Sequence, residues 1–340
     1  MIENINIILN EVSKIYKLDI DIGNFNKVGN SNNLIYEFQY KDQYFILRIT
    51  KKNIIHLPSY EAEVDFVNYL AKNKVRVSKA ISSINNKLVE TIKFSNSCYI
   101  ISIFEKADGH MPIMNSTEEW NSTLFHNWGQ TMGQIHALSK EYKFNNKYMK
   151  RKQWNEDIYF TEEYSISIED KKIFNKWNKI VSEMNSLPKD KNSYGLIHYD
   201  FHQYNFFINK DNNLTVFDFD DCLYNWFLCY IAIAFYHAIG YKPVNEPEKL
   251  SNFAWDFIES FLKGYVKENT IDSYWIEKLP LFLEYRRICS YIFFTKMWDK
   301  QNIELKQKEY LKKMKYDIEN EVPYIEMDFK ALKEKLYTCS

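Results

Sequence analysis

The 340-residue sequence carries 44 basic and 45 acidic side chains, a formal net charge of −1. That balance argues against a chain whose main task is to coat nucleic acid or an anionic membrane. Apolar residues make up 46% and aromatic residues 17%, which excludes global disorder and supplies packed cores; at this length two domains or lobes are expected.

The N-terminus lacks a basic region and a solid apolar block, so no secretory signal is expected. Instead Ile5, Ile8, Leu9, Val12, Ile15 and Tyr16 fall on one helical face. A strand-rich block follows. Asn24 to Val28 reads as a strand that Gly29-Asn30-Ser31-Asn32 breaks, Asn33 to Tyr40 alternates, and Tyr44 to Thr50 resumes after a turn at Lys41-Asp42-Gln43. Pro58-Ser59 starts a helix to about Lys72, with Glu61 and Glu63 in its first turn. Strands at Lys79 to Ile84, Leu88 to Phe94 and Cys98 to Phe104 complete a small antiparallel sheet with one helix packed on it. From Ser116 the pattern is helical: Asn121 to Ser139, Trp226 to Ile239, Asn252 to Val266, Leu279 to Met297, and a charged peripheral helix in residues 301–340. Tyr194 to Phe219 interrupts it as a pair of hairpins. The longest apolar stretch, Trp226 to Tyr241, is shorter than a membrane span and contains His237, so it reads as a buried helix. Five scattered cysteines without C-x-x-C spacing (Cys98, Cys222, Cys229, Cys289, Cys339) read as reduced thiols of a cytosolic protein.

The densest polar cluster is His198-Tyr199-Asp200-Phe201-His202-Gln203-Tyr204-Asn205, followed by Val216-Phe217-Asp218-Phe219-Asp220-Asp221. Apolar strands bracket both. A carboxylate, an amide and a second carboxylate at strand ends suit phosphoryl transfer, which needs one group to orient the attacking hydroxyl and oxygen ligands for Mg²⁺. A metal-hydrolase reading of residues 198–202 needs further ligands, and His56, His110, His126, His136 and His237 sit in no ligand-like spacing.

Two further segments accompany the cluster: Trp128-Gly129-Gln130-Thr131-Met132-Gly133-Gln134-Ile135-His136-Ala137-Leu138, and Phe261-Leu262-Lys263-Gly264-Tyr265 with Arg286-Arg287 beyond it. In this order the segments resemble the aminoglycoside phosphotransferase / choline kinase superfamily, small-molecule kinases with a protein-kinase-like fold. The resemblance spans roughly residues 20 to 300. It implies an α+β, two-lobe fold: an antiparallel-sheet N-lobe over residues 1–105 that binds nucleotide, and a mostly helical C-lobe over 106–340. It implies that Asp200 orients the acceptor hydroxyl and takes its proton, that Asn205 and Asp218 hold Mg²⁺, that His198 braces the catalytic loop, and that His202 lies near the transferred phosphate. Asp220 is either metal-facing or a solvated turn acid.

In the N-lobe the resemblance puts Gly29 and Ser31 in the loop over the ATP phosphates and Arg48 at the phosphate-binding cation. Glu63 is its ion-pair partner, with Glu61 the runner-up. Phe104-Glu105-Lys106-Ala107-Asp108-Gly109 forms the hinge, where backbone groups meet the base of ATP or GTP. The chain departs from the pattern at Tyr230, where the family has an aspartate that ties down the catalytic loop. The expected activity is transfer of a γ-phosphate to a small-molecule hydroxyl (aminoglycoside, amino alcohol, amino acid or sugar), with no nucleic-acid or membrane partner. For a cationic acceptor the candidate carboxylates are Glu156, Asp157, Glu162, Glu163 and Glu284. Oligomeric state is not legible. A non-catalytic nucleotide-binding or scaffold protein on the same fold is the alternative, left open by Tyr230. No A-P-E-like segment follows Asp218, which sets a protein kinase aside.

Overall fold

A computed structural model describes residues 5–30, 33–94, 97–164, 166, 170–240, 247–298 and 302–337. The architecture is α+β, and the chain divides into two compact units: residues 1–111 with 141–151 and 205–220, and residues 112–140 with 152–204 and 221–340.

The first unit is built on a five-stranded antiparallel sheet in the order β1-β2-β3-β5-β4, formed by β1 (Asn26–Asn30), β2 (Leu34–Tyr40), β3 (Gln43–Lys51), β4 (Glu90–Phe94) and β5 (Ser97–Glu105). Helix α1 (Ile5–Ile15) lays Ile8, Leu9 and Val12 into a core with Phe38, Leu47, Ile101 and Ile103, as its apolar stripe requires. Helix α2 (Leu57–Lys72) buries Val64, Phe66, Val67 and Leu70. It begins at Leu57, one residue before the proline, so Glu61 and Glu63 lie beyond its first turn and do not serve its N-terminus.

Two strand expectations are corrected. Gly29 and Asn30 do not break β1; they pair with Ile35 and Leu34 after a register irregularity at Lys27/Gly29. Lys79 to Ile84 is not a strand. It makes an isolated bridge, Ala80 to Phe104, through Ile81 N–H to the Ile103 carbonyl and Glu105 N–H to the Lys79 carbonyl, while Asn68 of α2 bonds the outward N–H and carbonyl of Ala80 where a further strand would otherwise pair.

Residues 205–220 supply a short hairpin of β6 (Phe206–Ile208) and β7 (Leu214–Val216). It is bonded into the first unit on both sides: His110 and Ile208 exchange both backbone hydrogen bonds, and Val216 bonds to Arg76 and Ser78. Gly109 makes the first connection possible. Its φ is 98°, and a Cβ there would collide with the Ile208 carbonyl. Residues 141–151 join through Tyr142 and Asn145, both donating to the Asp65 carboxylate.

The second unit contains α3 (Ser122–Ser139), α4 (Lys171–Ser186), α5 (Phe227–Gly240), α6 (Pro247–Tyr265), α7 (Ser273–Glu277), α8 (Leu279–Met297), α9 (Leu305–Glu319) and α10 (Phe329–Tyr337). Residues 301–340 thus hold two helices where one was expected. A strand pair, β8 (Tyr194–Ile197) with β9 (Leu223–Trp226), brackets the β6–β7 hairpin in sequence. The two pairs are nested and not consecutive. Helix α5 is apolar nearly all round and almost wholly buried, and no described helix is long and apolar enough to cross a membrane. Cys222, Cys229 and Cys289 are buried free thiols and Cys98 is partly exposed; Cys339 lies outside the described residues.

Helices α3 and α6 touch backbone to backbone. A Cβ on Gly129 would collide with the Phe261 carbonyl, and one on Gly264 with the His126 carbonyl. Gly129→Ala is therefore expected to cost about 3 kcal/mol, the upper end for overpacking, because the clash is with backbone that no rotamer can relieve. Thermal melting of the variant checks this, and an unchanged midpoint would contradict it.

Candidate active site

In the first unit, the register of the β6–β7 hairpin assembles one half of the polar cluster. Phe206 pairs with Val216, and one step further Phe217 N–H donates to the Asn205 carbonyl at 3.0 Å. Asn205 and Asp218 therefore both stand at the open end of the hairpin, Asp218 one residue beyond the partner of Asn205. Asp218 has φ 67°, a left-handed conformation uncommon for a non-glycine residue. It lines a cavity of about 400 Å³, within the range of small-ligand sites. An amide oxygen and a carboxylate are hard donors, and such a pair suits Mg²⁺, which keeps most of its shell for water and phosphate oxygens.

Val28, Ile35, Ile46, Val67, Phe104, Ala107, Phe207 and Phe217 form the apolar walls of the cavity, with Arg48, Glu63 and Asp218 among its polar groups. Arg48 and Glu63 form a fork-to-fork pair, Nη1 to Oε1 at 2.7 Å and Nη2 to Oε2 at 2.9 Å. Both are buried, at 4% and 1% exposure, so Glu63 and not Glu61 is the partner of Arg48. Burial alone would make the guanidinium easier to deprotonate; the Glu63 carboxylate outweighs it and, with Asp218 and Asp220, holds the cation protonated. The rings of Tyr60 and Phe104 lie 5.6 and 5.1 Å from its charge, which favours a cation there. Asp220 is tied in by a chain of bonds: Thr50 donates to Asn33 at 2.6 Å, and Asn33 donates to Asp220 at 3.1 Å. Asp220 is a structural link of this unit and not a solvated turn acid.

In the hinge segment, Phe104 and Ala107 line the cavity, while the Glu105 side chain pairs with Lys79 at 3.0 Å. The N–H groups of Glu105 and Lys106 are bonded to the carbonyls of Lys79 and Tyr44. Gly29 is packed against Ile35, and Ser31 lies outside the described residues.

In the second unit, Asp200 follows Tyr199, whose φ is 71°; a buried, non-glycine residue in that conformation costs about 1–3 kcal/mol unless its surroundings enforce it. The Tyr199 hydroxyl lies 3.4 Å from that of Tyr285 and beside Asp157, which fixes the strained residue from its far end. Asp200 N–H donates to His198 Nδ1 at 3.2 Å. His202 stands beside the Asp200 carboxylate: its Nδ1 accepts from Tyr204 N–H at 3.2 Å, which leaves Nε2 to donate to Asp200 Oδ2 at 3.1 Å. Arg286 Nη2 lies 3.4 Å from Asp200 Oδ1 and donates to His237 Nε2 at 2.9 Å. Burial pushes the Asp200 carboxyl up, but the hydrogen bond from His202 and the neighbouring Arg286 cation more than reverse it and hold it below the usual carboxylate range. The side chain is 28% exposed, so the carboxylate is held and still accessible.

Asp200, His202 and His237 could jointly face a metal, with ligand atoms within 4.8 Å of one another. The spacing argument thus missed His237, which α5 delivers from far along the chain. Arg286 supplies a fixed cation against two of the three, which disfavours a metal there. Arg286, read in the sequence only as part of the Arg286-Arg287 segment, is brought to the same carboxylate by α8. Of the carboxylates proposed for a cationic acceptor, Glu284 is paired with Lys176 and Arg287, Glu156 bonds to Gln153 N–H, and Glu162 and Glu163 are exposed. Asp157 is buried, and burial raises its carboxyl above the ordinary value.

Tyr230 is fully buried, stacked near His198 (6.0 Å between centroids) and tilted against Phe201 (5.7 Å). Its hydroxyl has no hydrogen-bond partner among the described residues. Where the family aspartate would act by hydrogen bonding, this ring supports the loop by contact.

The APH phosphotransferase enzyme family model matches residues 25–261. This chain belongs to that family. It is 33% identical, over 307 residues and 90% of either chain, to the amicoumacin kinase of Bacillus subtilis (strain 168). The solved structure of amicoumacin kinase hAmiN in complex with AMP-PNP, Ca²⁺ and Ami aligns with a TM-score of 0.88 at 26% identity, covering 97% of both chains. A microcompartment-associated aminopropanol kinase shares the fold, with a TM-score of 0.71 at 16% identity over 99% of this chain and 98% of that one. As a family member the chain is a small-molecule phosphotransferase with the α+β kinase-like fold.

Two outcomes follow from the buried groups. Arg48→Met is expected to cost about 3–5 kcal/mol, because it leaves the Glu63 carboxylate buried and unpaired, and adding Glu63→Leu should recover most of it. Denaturant unfolding of the single and double variants checks this, and a single variant as stable as wild type would refute it. Tyr230→Phe should retain wild-type kcat, since the hydroxyl bonds to nothing in the fold. Tyr230→Ala should lose about 3–5 kcal/mol of stability together with kcat. Melting and steady-state kinetics decide, and a Phe variant as impaired as the Ala variant would show that the hydroxyl matters.

Proposed function

We propose that the chain transfers the γ-phosphate of ATP, with Mg²⁺, to a hydroxyl of amicoumacin or a close relative of it. The observation that carries the acceptor is the 33% identity to an amicoumacin kinase across 90% of both chains. The nucleotide and divalent ion are supported by the AMP-PNP and Ca²⁺ bound to hAmiN and by the donor set of Asn205 and Asp218. GTP in place of ATP is the variant reading.

The purine ring enters between the apolar walls of the first-unit cavity, and the Ala107 backbone is the hinge group that meets its edge. Arg48, held by Glu63, presents its cation to the phosphates. Asn205 and Asp218 hold the divalent ion, whose charge offsets that of the phosphate oxygens when bound. Asp200 accepts a hydrogen bond from the acceptor hydroxyl and aims its oxygen at the γ-phosphorus. The new oxygen–phosphorus bond forms as the bond from that phosphorus to the β–γ bridging oxygen breaks. ADP leaves, and the hydroxyl proton passes to the Asp200 carboxylate. A carboxylate held well below its ordinary pKa is a weak base and a well-oriented acceptor. In a loose transition state little proton transfer is needed before the phosphoryl group has moved, so orientation is the larger contribution.

Incubation with ATP, Mg²⁺ and amicoumacin, beside aminopropanol and an aminoglycoside, should give a phosphorylated product from amicoumacin by mass spectrometry. Phosphorylation of another acceptor with amicoumacin untouched would overturn the assignment. Asp200→Asn should lower kcat by at least ~10²-fold and keep the thermal stabilisation by Mg²⁺–ATP, which amounts to ~2.7 kcal/mol at a hundred times the dissociation constant. Asp218→Ala should lose both. An active Asp200→Asn enzyme would remove Asp200 from the reaction.

A further inference from the structure

Asp200 is the group on which transfer turns, yet the loop carrying it is strained at Tyr199 and its carboxylate is partly exposed. Left to itself, such a carboxylate rotates among positions, most of which misdirect a hydroxyl. Two groups oppose that rotation, one on each oxygen. His202 belongs to the same loop and moves with it. Arg286 belongs to α8, where Tyr285, Arg287 and Ile288 on either side of it are buried, so it reports the position of a rigid element to the loop.

The guanidinium is itself oriented. Its Nη2 is 2.9 Å from His237 Nε2, and since arginine only donates, that nitrogen of His237 is the acceptor and the ring proton sits on Nδ1. Burial and then the neighbouring Arg286 charge keep His237 well below its ordinary pKa, so the ring stays neutral and able to accept. The same Nη2 reaches Asp200 Oδ1 at 3.4 Å, longer than an ideal hydrogen bond but close for opposite charges in a largely buried setting. Tyr159, Tyr199 and Cys289 also act on Arg286, as does the more distant buried carboxylate of Asp157; Asp200 is the carboxylate in contact with its guanidinium.

We propose that Arg286 is a positioning residue for phosphoryl transfer: steered by His237, its guanidinium fixes the Asp200 carboxylate from α8 so that one oxygen is aimed at the acceptor hydroxyl. The inference rests on the role given to Asp200 above. It separates two uses of that carboxylate. If Asp200 mattered chiefly as a base, removing the neighbouring cation would make it a stronger one, and turnover would hold or rise. If it matters by orientation, turnover falls.

The test uses the full-length protein with ATP, Mg²⁺ and whichever acceptor the wild type phosphorylates, with Asp200→Asn as the control. Arg286→Ala should lower kcat by about 10- to 100-fold, the range for losing a charge-assisted contact to a partly buried anion. KM for ATP should stay within about twofold, since the purine and phosphate groups are assigned to other residues. Millimolar guanidinium should restore part of kcat in Arg286→Ala, whereas urea, its neutral analogue of like shape, and sodium chloride should not. Should Arg286→Ala fail to fold, Arg286→Lys and His237→Asn carry the test: each should lower kcat at unchanged KM for ATP, with the lysine variant less impaired because the charge remains. Wild-type or raised kcat in the folded Arg286 variants, while Asp200→Asn is inactive, overturns the role of Arg286 and leaves that of Asp200 standing. An active Asp200→Asn enzyme overturns both. A fall in kcat that urea restores as well as guanidinium also counts against the proposal, since filling the space would then suffice.

Discussion

A ladder of only three pairs, Phe206–Val216, Phe207–Thr215 and Ile208–Leu214, sets where Asn205 and Asp218 stand, and the cavity that Asp218 lines depends on it. A hairpin this short is marginal in isolation. Slipping by one residue would turn Asp218 to the other face. Its register holds because both strands are bonded outward, β6 to His110 and β7 to the segment around Val77. The conformational demand on Gly109 is part of the same device, since it lets the hinge backbone approach β6.

Each unit contains an arginine–carboxylate pair, and the contrast between them follows what each is for. Arg48 and Glu63 are almost wholly buried and saturate one another through two short bonds. Such a pair is costly to break and has little freedom to respond. Asp200 keeps 28% of its side chain exposed and meets Arg286 at the longer distance. Geometry thus divides the pairs into one that is closed to solvent and one that is partly open to it.

Legibility in the sequence followed the range of the interaction. Helical periodicity identified the buried faces of α1, α2 and α3, and the shared face of Glu63, Val67 and Leu70 singled out the partner of Arg48. The G-x-x-x-G spacing of Gly129 and Gly133 was legible as a motif, but its reason, carbonyls of α6 at van der Waals limits, needed the packing. Where a side chain pre-empted backbone groups, as Asn68 does at Ala80, β-propensity pointed to a strand that is absent. Gly29 read as a breaker because glycine frees the backbone; here its small size is used instead, against Ile35. The approach of His237 and Arg286 to Asp200 had no local signature, because α5 and α8 bring them from separate helices far along the chain.

The first unit is discontinuous along the chain, and this bears on how the protein comes off the ribosome. Asp65 of α2 waits for Tyr142 and Asn145, and the Ser78 amide waits for Val216. The sheet is therefore synthesised well before the segments that finish its buried polar contacts. A nascent chain that has emerged only to the end of β5 lacks the partners of Asp65 and of the Ser78 amide. Contacts of such long sequence separation slow folding and lengthen the exposure of unfinished surface. Until residue 220 has been made, the early sheet is left without those bonds.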